Sequence, residues 1–171
     1  MMLGWALLEQ MAVLLLESQM GGGMTIGYNF AMNNTPQSNP IGCFQKCMFI
    51  VENGAVLKIG NNVGISQTAI VAVDDVTIDD NVKIGGGCYI YSTDFHSLDP
   101  NIRKSAKDIQ NRRSAPIHIK TNAFIGAHSI ILKGVTIGEN SIIGAGAVVT
   151  KDVPDNEIWA GNPAKFIRKL Q

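Results

Sequence analysis

His96 closes the strand-like run YIYSTDFH (89–96) and stands directly before a polar segment without periodicity. Such a histidine suits general-base chemistry: activating a hydroxyl needs a base, because an alcohol is a poor nucleophile at neutral pH. An imidazole titrates in the right range and can return the proton to a leaving group. The end of a strand would hold that imidazole on a rigid rim. Asp94 lies two residues earlier, on the same face if the strand continues, and could fix the tautomer of His96. A bend residue that satisfies backbone N–H groups is an equal reading of Asp94. Cys43, Cys47 and Cys88 are odd in number and lack metal-type spacing, so they read as buried thiols in a reducing compartment, which suggests the cytoplasm.

The elements that must position His96 are written as a six-residue repeat. Residues 119–154 divide into IKTNAF, IGAHSI, ILKGVT, IGENSI, IGAGAV and VTKDVP, with Ile119, Ile125, Ile131, Ile137, Ile143 and Val149 in first position. An earlier run covers 59–76, slips by one residue near Thr77 and resumes over 78–95, and a weaker start lies at Ile26. A period of six fits neither a helix nor a simple strand alternation. It fits short strands separated by bends, with three sides closing a triangular coil of about eighteen residues. First-position aliphatics would then stack inward, each contributing roughly 1.5–3 kcal/mol over exposure. Gly, Asn and Asp near the bends suit the unusual backbone angles there. The expected architecture is an all-β parallel solenoid whose hand the repeat does not set.

The phase is lost between about His96 and Pro116, where HSLDPNIRKSAKDIQNRRSAP is polar and basic. A loop this long in a compact domain is functional or disordered. Arg103, Lys104, Lys107, Arg112 and Arg113 could meet a phosphate, or belong to a flexible basic loop without a ligand. We divide the single domain, 1–171, into an N-terminal helical segment (1–23), a solenoid (24–160) with loop 97–116, and a tail with a short C-terminal helix (161–171). The apolar start has no early basic residue, Lys46 being the first, and Glu9 and Glu17 interrupt it. It therefore reads as a packing helix and neither a secretory signal nor a membrane span. The 171 residues carry 14 Lys+Arg against 14 Asp+Glu, a balance that gives no field for nucleic acid.

The segments STDFHSLDP (92–100), PIHIKTNAFIGAHSIILKGVTIGENSIIGAGAVVTKDVP (116–154) and EIWAGNPAKFIRKL (157–170) resemble the hexapeptide-repeat O-acetyltransferases, in particular the branch of galactoside, maltose, Nod-factor and polysaccharide-biosynthesis acetyltransferases. The resemblance implies a left-handed parallel β-helix, acetyl-CoA as cosubstrate without a metal, and a homotrimer with active sites between subunits. It gives His96 the role of general base and a sugar or glycan precursor, including a nucleotide-sugar, the role of acceptor. It lays the cofactor along Phe124, Ala127, Gly144, Ala145, Thr150 and Lys151, with Lys165 and Arg168 facing the phosphates. The plainer reading of Lys165 and Arg168 is the solvated end of a short helix. The sugar branch keeps an Asn about thirty residues before its His; this chain has Ser66 and Gln67 there, which could stand in on the acceptor side.

Serine or a chloramphenicol-type drug is the alternative acceptor on the same fold. A γ-carbonic-anhydrase-like zinc enzyme is the alternative of another class. That family also needs three histidines, but pairs two as H-x4-H, whereas His118 and His128 are ten apart. A non-catalytic β-helix assembly protein is the last alternative.

Overall fold

In the computed structural model, residues 22–39, 41–52 and 54–171 are described, and the expected N-terminal helix lies almost wholly outside them. The chain winds as a left-handed parallel β-helix with three faces. Numbered in chain order, the first face stacks β1 (Gly23–Ile26), β4 (Val56–Ile59), β7 (Val76–Ile78), β10 (Ile117–Ile119) and β13 (Thr136–Ile137). The second stacks β2 (Ala31–Asn33), β5 (Gly64–Ser66), β8 (Lys83–Ile84), β11 (Phe124–Ile125), β14 (Ile142–Ile143), β16 (Glu157–Ala160) and β17 (Lys165–Lys169). The third stacks β3 (Met48–Val51), β6 (Ala69–Ala72), β9 (Tyr89–Tyr91), β12 (Ile130–Leu132) and β15 (Val148–Val149). All neighbours pair in parallel except β16 and β17.

The first-position aliphatics form the core. Ile119, Ile125, Ile131, Ile137, Ile143 and Val149 are each 0% exposed. Register carries Ile59 onto Ile78, Ile119 and Ile137, so the ladder passes the one-residue slip and the long loop without losing phase.

The corner between the first and second faces is built on one residue type. Asn29, Asn62, Asn81, Asn122, Asn140 and Asn156 all take left-handed backbone angles, with φ between 55° and 63°. Asparagine tolerates that region. The side-chain amides also bond from coil to coil: Asn29 donates to Asn62 at 2.9 Å, Asn62 to Asn81 at 3.2 Å, Asn122 to Asn140 at 3.0 Å and Asn140 to Asn156 at 2.9 Å.

The expected C-terminal helix is a strand. After a turn the chain reverses, and β17 pairs antiparallel with β16, Ile158 opposite Arg168 and Ala160 opposite Lys165. The open edge of the last coil offers backbone partners that a helix could not use, so β17 covers it. Among the described residues no helix is long and apolar enough to cross a membrane.

Candidate active site

His96 follows β9 at the third corner, where the coil opens into the loop. The neck is tied by an antiparallel bridge between Thr93 and Ser114, by Asp94 N–H to Arg113 O (2.9 Å) and by Ala115 N–H to Ser92 O (3.1 Å). Beyond the neck the loop is ordered. Asp99 caps a helical turn at Pro100–Arg103, accepting from Asn101 N–H at 2.7 Å, and a 3-10 turn spans Ile109–Asn111. Arg112 pairs with Glu52 at the same corner two coils earlier, and Arg103 Nη1 donates to Ser97 O at 3.0 Å.

The loop returns a carboxylate to the histidine. Asp108 Oδ2 lies 2.6 Å from His96 Nδ1, and its Oδ1 accepts from Ser97 N–H at 2.8 Å. The hydrogen bond from His96, followed by that from Ser97, holds the Asp108 carboxyl below its ordinary range. An ionised Asp108 fixes the tautomer with the proton on Nδ1 and leaves Nε2 to accept one. The imidazole is 61% exposed while its carboxylate is 15% exposed, so the ring faces outward on a shielded anchor.

Asp94 does not orient His96. Its Oδ1 is 2.5 Å from Lys133 Nζ, and its Oδ2 is buried with no partner. The strand does not run on through Asp94: Phe95 turns to φ 64°, which sends the side chains of 94 and 96 to different partners. Sequence spacing suggested a pair across two residues; the loop supplies it across twelve.

Ser66 and Gln67 sit at the second corner, before β6, and not beside His96. Ser66 is buried and accepts from Asn33 Nδ2 at 3.1 Å. Gln67 is 0% exposed, because residues 41–47 fold over it and its Nε2 donates to Cys43 O at 3.0 Å. The acceptor-side position expected for these two is thus sealed within the chain.

The expected cofactor residues lie on the later coils. Phe124 is 47% exposed on the outer second face, stacked in register between Lys83 and Ile142. Ala127, Gly144 and Ala145 follow in the stacked Ile-Gly turns. A Cβ on Gly126 would lie 2.5 Å from Ala145 N, and one on Gly144 would lie 2.8 Å from Ala160 Cβ, so glycine lets the coils close up. Lys165 and Arg168 stand exposed on β17, at the same end of the second face. Thr150 and Lys151 leave the third face after β15, and Lys151 Nζ lies 5.3 Å from the centroid of the Trp159 ring.

The three histidines have separate partners: His96 with Asp108, His118 with Asp79 at 2.8 Å, and His128 beside Cys43 at 4.0 Å. All three cysteines are free and buried. Asp108, Lys133 and the Arg112–Glu52 pair were not found in the sequence. Only Asp108 had a signal, as one of two acids in a basic loop.

Residues 116–151 match the bacterial transferase hexapeptide family, six repeats. Over 127 residues the chain is 39% identical to the galactoside O-acetyltransferase of Escherichia coli strain K12, covering 70% of this chain and 60% of that enzyme. It spans between 29% and 60% of the length of the curated relatives it matches. A solved galactoside acetyltransferase in complex with coenzyme A superposes with a TM-score of 0.62 at 32% identity, over 84% of this chain and 66% of that one. A maltose O-acetyltransferase from Clostridium difficile 630 superposes with a TM-score of 0.68 at 28% identity, over 86% and 70%.

Proposed function

Because residues 116–151 match the bacterial transferase hexapeptide family and the fold is shared with its acetyltransferases, we propose that this chain transfers an acetyl group from acetyl-CoA to a hydroxyl of a sugar or glycan precursor, with His96 as general base. The observation that carries this reading is the His96–Asp108 pair at 2.6 Å. With Nδ1–H held by the carboxylate, Nε2 takes the proton of the acceptor hydroxyl as its oxygen attacks the thioester carbon. The tetrahedral intermediate collapses, and the imidazolium returns the proton to the CoA thiolate. Asp108 stabilises the charged ring between these two transfers.

The cofactor would lie along the second face, with Phe124, Ala127, Gly144 and Ala145 lining its pantetheine arm and Lys165 and Arg168 near its phosphates. Thr150 and Lys151 would close the far end. The functional unit would be a trimer. The third face turns Tyr89, Ile130 and Val148 outward in one row and Val71, Tyr91 and Leu132 in the next. The first face turns Lys58, Thr77, His118 and Thr136 outward. An apolar sheet face of that kind suits burial against a second copy. The balance of charge and the free thiols suit a cytoplasmic enzyme that serves surface-polysaccharide synthesis.

The test is an acetyl-CoA turnover screen over simple sugars, nucleotide-sugars, serine and chloramphenicol. The reading expects turnover with a sugar or nucleotide-sugar. Preference for serine or the drug would overturn the acceptor, and no turnover with any acceptor would count against the reaction itself.

A further inference from the structure

The loop that carries Asp108 is held mostly by itself. Its main chain bonds run from Arg103 N–H to Asp99 O at 2.8 Å, from Ser105 N–H to Ile102 O at 2.9 Å and from Asp108 N–H to Ser105 O at 3.2 Å. From Asp108 to Arg112 the chain keeps turning, with Asn111 N–H on Asp108 O at 3.1 Å and Arg112 N–H on Ile109 O at 3.4 Å. Asn111 Nδ2 adds a bond to Lys107 O at 2.8 Å. Asp108 and Arg112 are therefore parts of one turned piece. The neck at 92–94 and 113–115 fixes only the ends of the loop, and Asp108 reaches His96 from its interior.

Among the described residues, one polar contact joins 97–112 to the coils before β9: the ion pair of Arg112 Nη2 with Glu52 Oε2. Glu52 follows β3, and its own main chain is anchored on both sides. Its N–H donates to Ala72 O at 2.8 Å, and its carbonyl accepts from Ala55 N–H at 3.1 Å. The carboxylate thus stands on a fixed part of the solenoid. The Arg112 side chain is 17% exposed, so its end of the pair is shielded from water. A surface ion pair adds little to stability. A planar guanidinium held at its fork instead fixes a direction, and here that direction is the lie of the loop.

We propose that Glu52 is a positioning residue for His96: through Arg112 it fixes the turn that presents Asp108, and so keeps the ring proton on Nδ1. It acts through two intermediaries and needs no contact with a substrate. Misplacing a group at the chemistry by about 1 Å through a remote substitution can cost roughly 10²-fold in rate. Arg103, the other charge beside Asp108, is left unchanged in every variant below. The effect on turnover rests on the acetyl-transfer reading; the effect on the His96 tautomer does not.

The tautomer supplies the readout. The ring nitrogens of His96 are followed by NMR on the full chain labelled with heavy nitrogen, where the imidazole is neutral, and are assigned from the His96→Ala spectrum. We expect Nδ1–H in the wild type. Glu52→Ala and Arg112→Ala should each move the ring toward the Nε2–H form, and the charge swap Glu52→Arg with Arg112→Glu should restore Nδ1–H. With the best acceptor, Glu52→Ala should lower kcat roughly tenfold and leave the KM for acetyl-CoA unchanged. Added to Asp108→Asn it should cost nothing further, because the carboxylate it positions is already gone. A wild-type ring without Nδ1–H, or a ring unchanged in Glu52→Ala, overturns the proposal, even where acetyl transfer to a sugar is found. A fully additive loss in the Glu52→Ala, Asp108→Asn double variant overturns it as well. A tautomer shift with no turnover on any acceptor would support the positioning role and remove the enzymatic reading.

Discussion

At the residue scale the account turns on which carboxylate serves His96. Asp108→Asn keeps the shape of the side chain and removes the charge that fixes the tautomer. It should lower kcat by roughly tenfold or more, toward the range of a lost general base, with the KM for acetyl-CoA unchanged. Asp94→Asn should instead weaken the fold through Lys133, visible as a lower Tm, and leave kcat within a few-fold. The reverse pattern would return the orienting role to Asp94. His96 itself was legible, because DFH stands where the hexad phase stops. Its partner was not, because the contact joins residues twelve apart through a loop whose path no periodicity encodes. Gln67 was misread for the opposite reason: its position along the chain suited an acceptor contact, and only the fold of residues 41–47 reveals that it is covered.

At the element scale the hexads were fully legible, since each first-position residue must point inward for the coil to close. Ile131→Asp places a charge in that ladder and should abolish folding, as read by circular dichroism. The asparagine corner is a finer device of the same repeat. Asn122→Ala removes the amide that bonds Asn140 at 3.0 Å and puts alanine into a left-handed turn. It should cost about 1–2 kcal/mol in urea unfolding; Asn122→Gly should recover part of that loss by restoring the backbone freedom. The end of the solenoid was less legible. AKFIRKLQ has no six-fold phase, and its strand form depends on the open edge of β16. On that strand, Lys165→Ala with Arg168→Ala should weaken acetyl-CoA more than a dephospho-CoA derivative. Equal loss with both would mean that neither side chain meets the 3′-phosphate.

At the scale of the whole molecule, carboxylates tie one coil to the next. Asp80 accepts from Asn61 N–H at 2.7 Å and Asp155 from Glu139 N–H at 2.8 Å, and these bonds hold both carboxyls below their ordinary range. A carboxyl lowered on folding adds stability that is present above its unfolded value, about 3.9, and is lost as pH falls through the folded value. Urea midpoints should therefore hold from neutrality to about pH 4 and decline below it. The apolar third face should be covered in a closed trimer, so sedimentation of an active monomer would contradict the assembly. The central claim, that His96 is the base of an acetyl transfer, is tested most directly by the turnover of His96→Ala with the best sugar acceptor. The account predicts a fall of roughly 10²–10⁴-fold with acetyl-CoA affinity and oligomeric state retained. Near-normal turnover in that variant would contradict it.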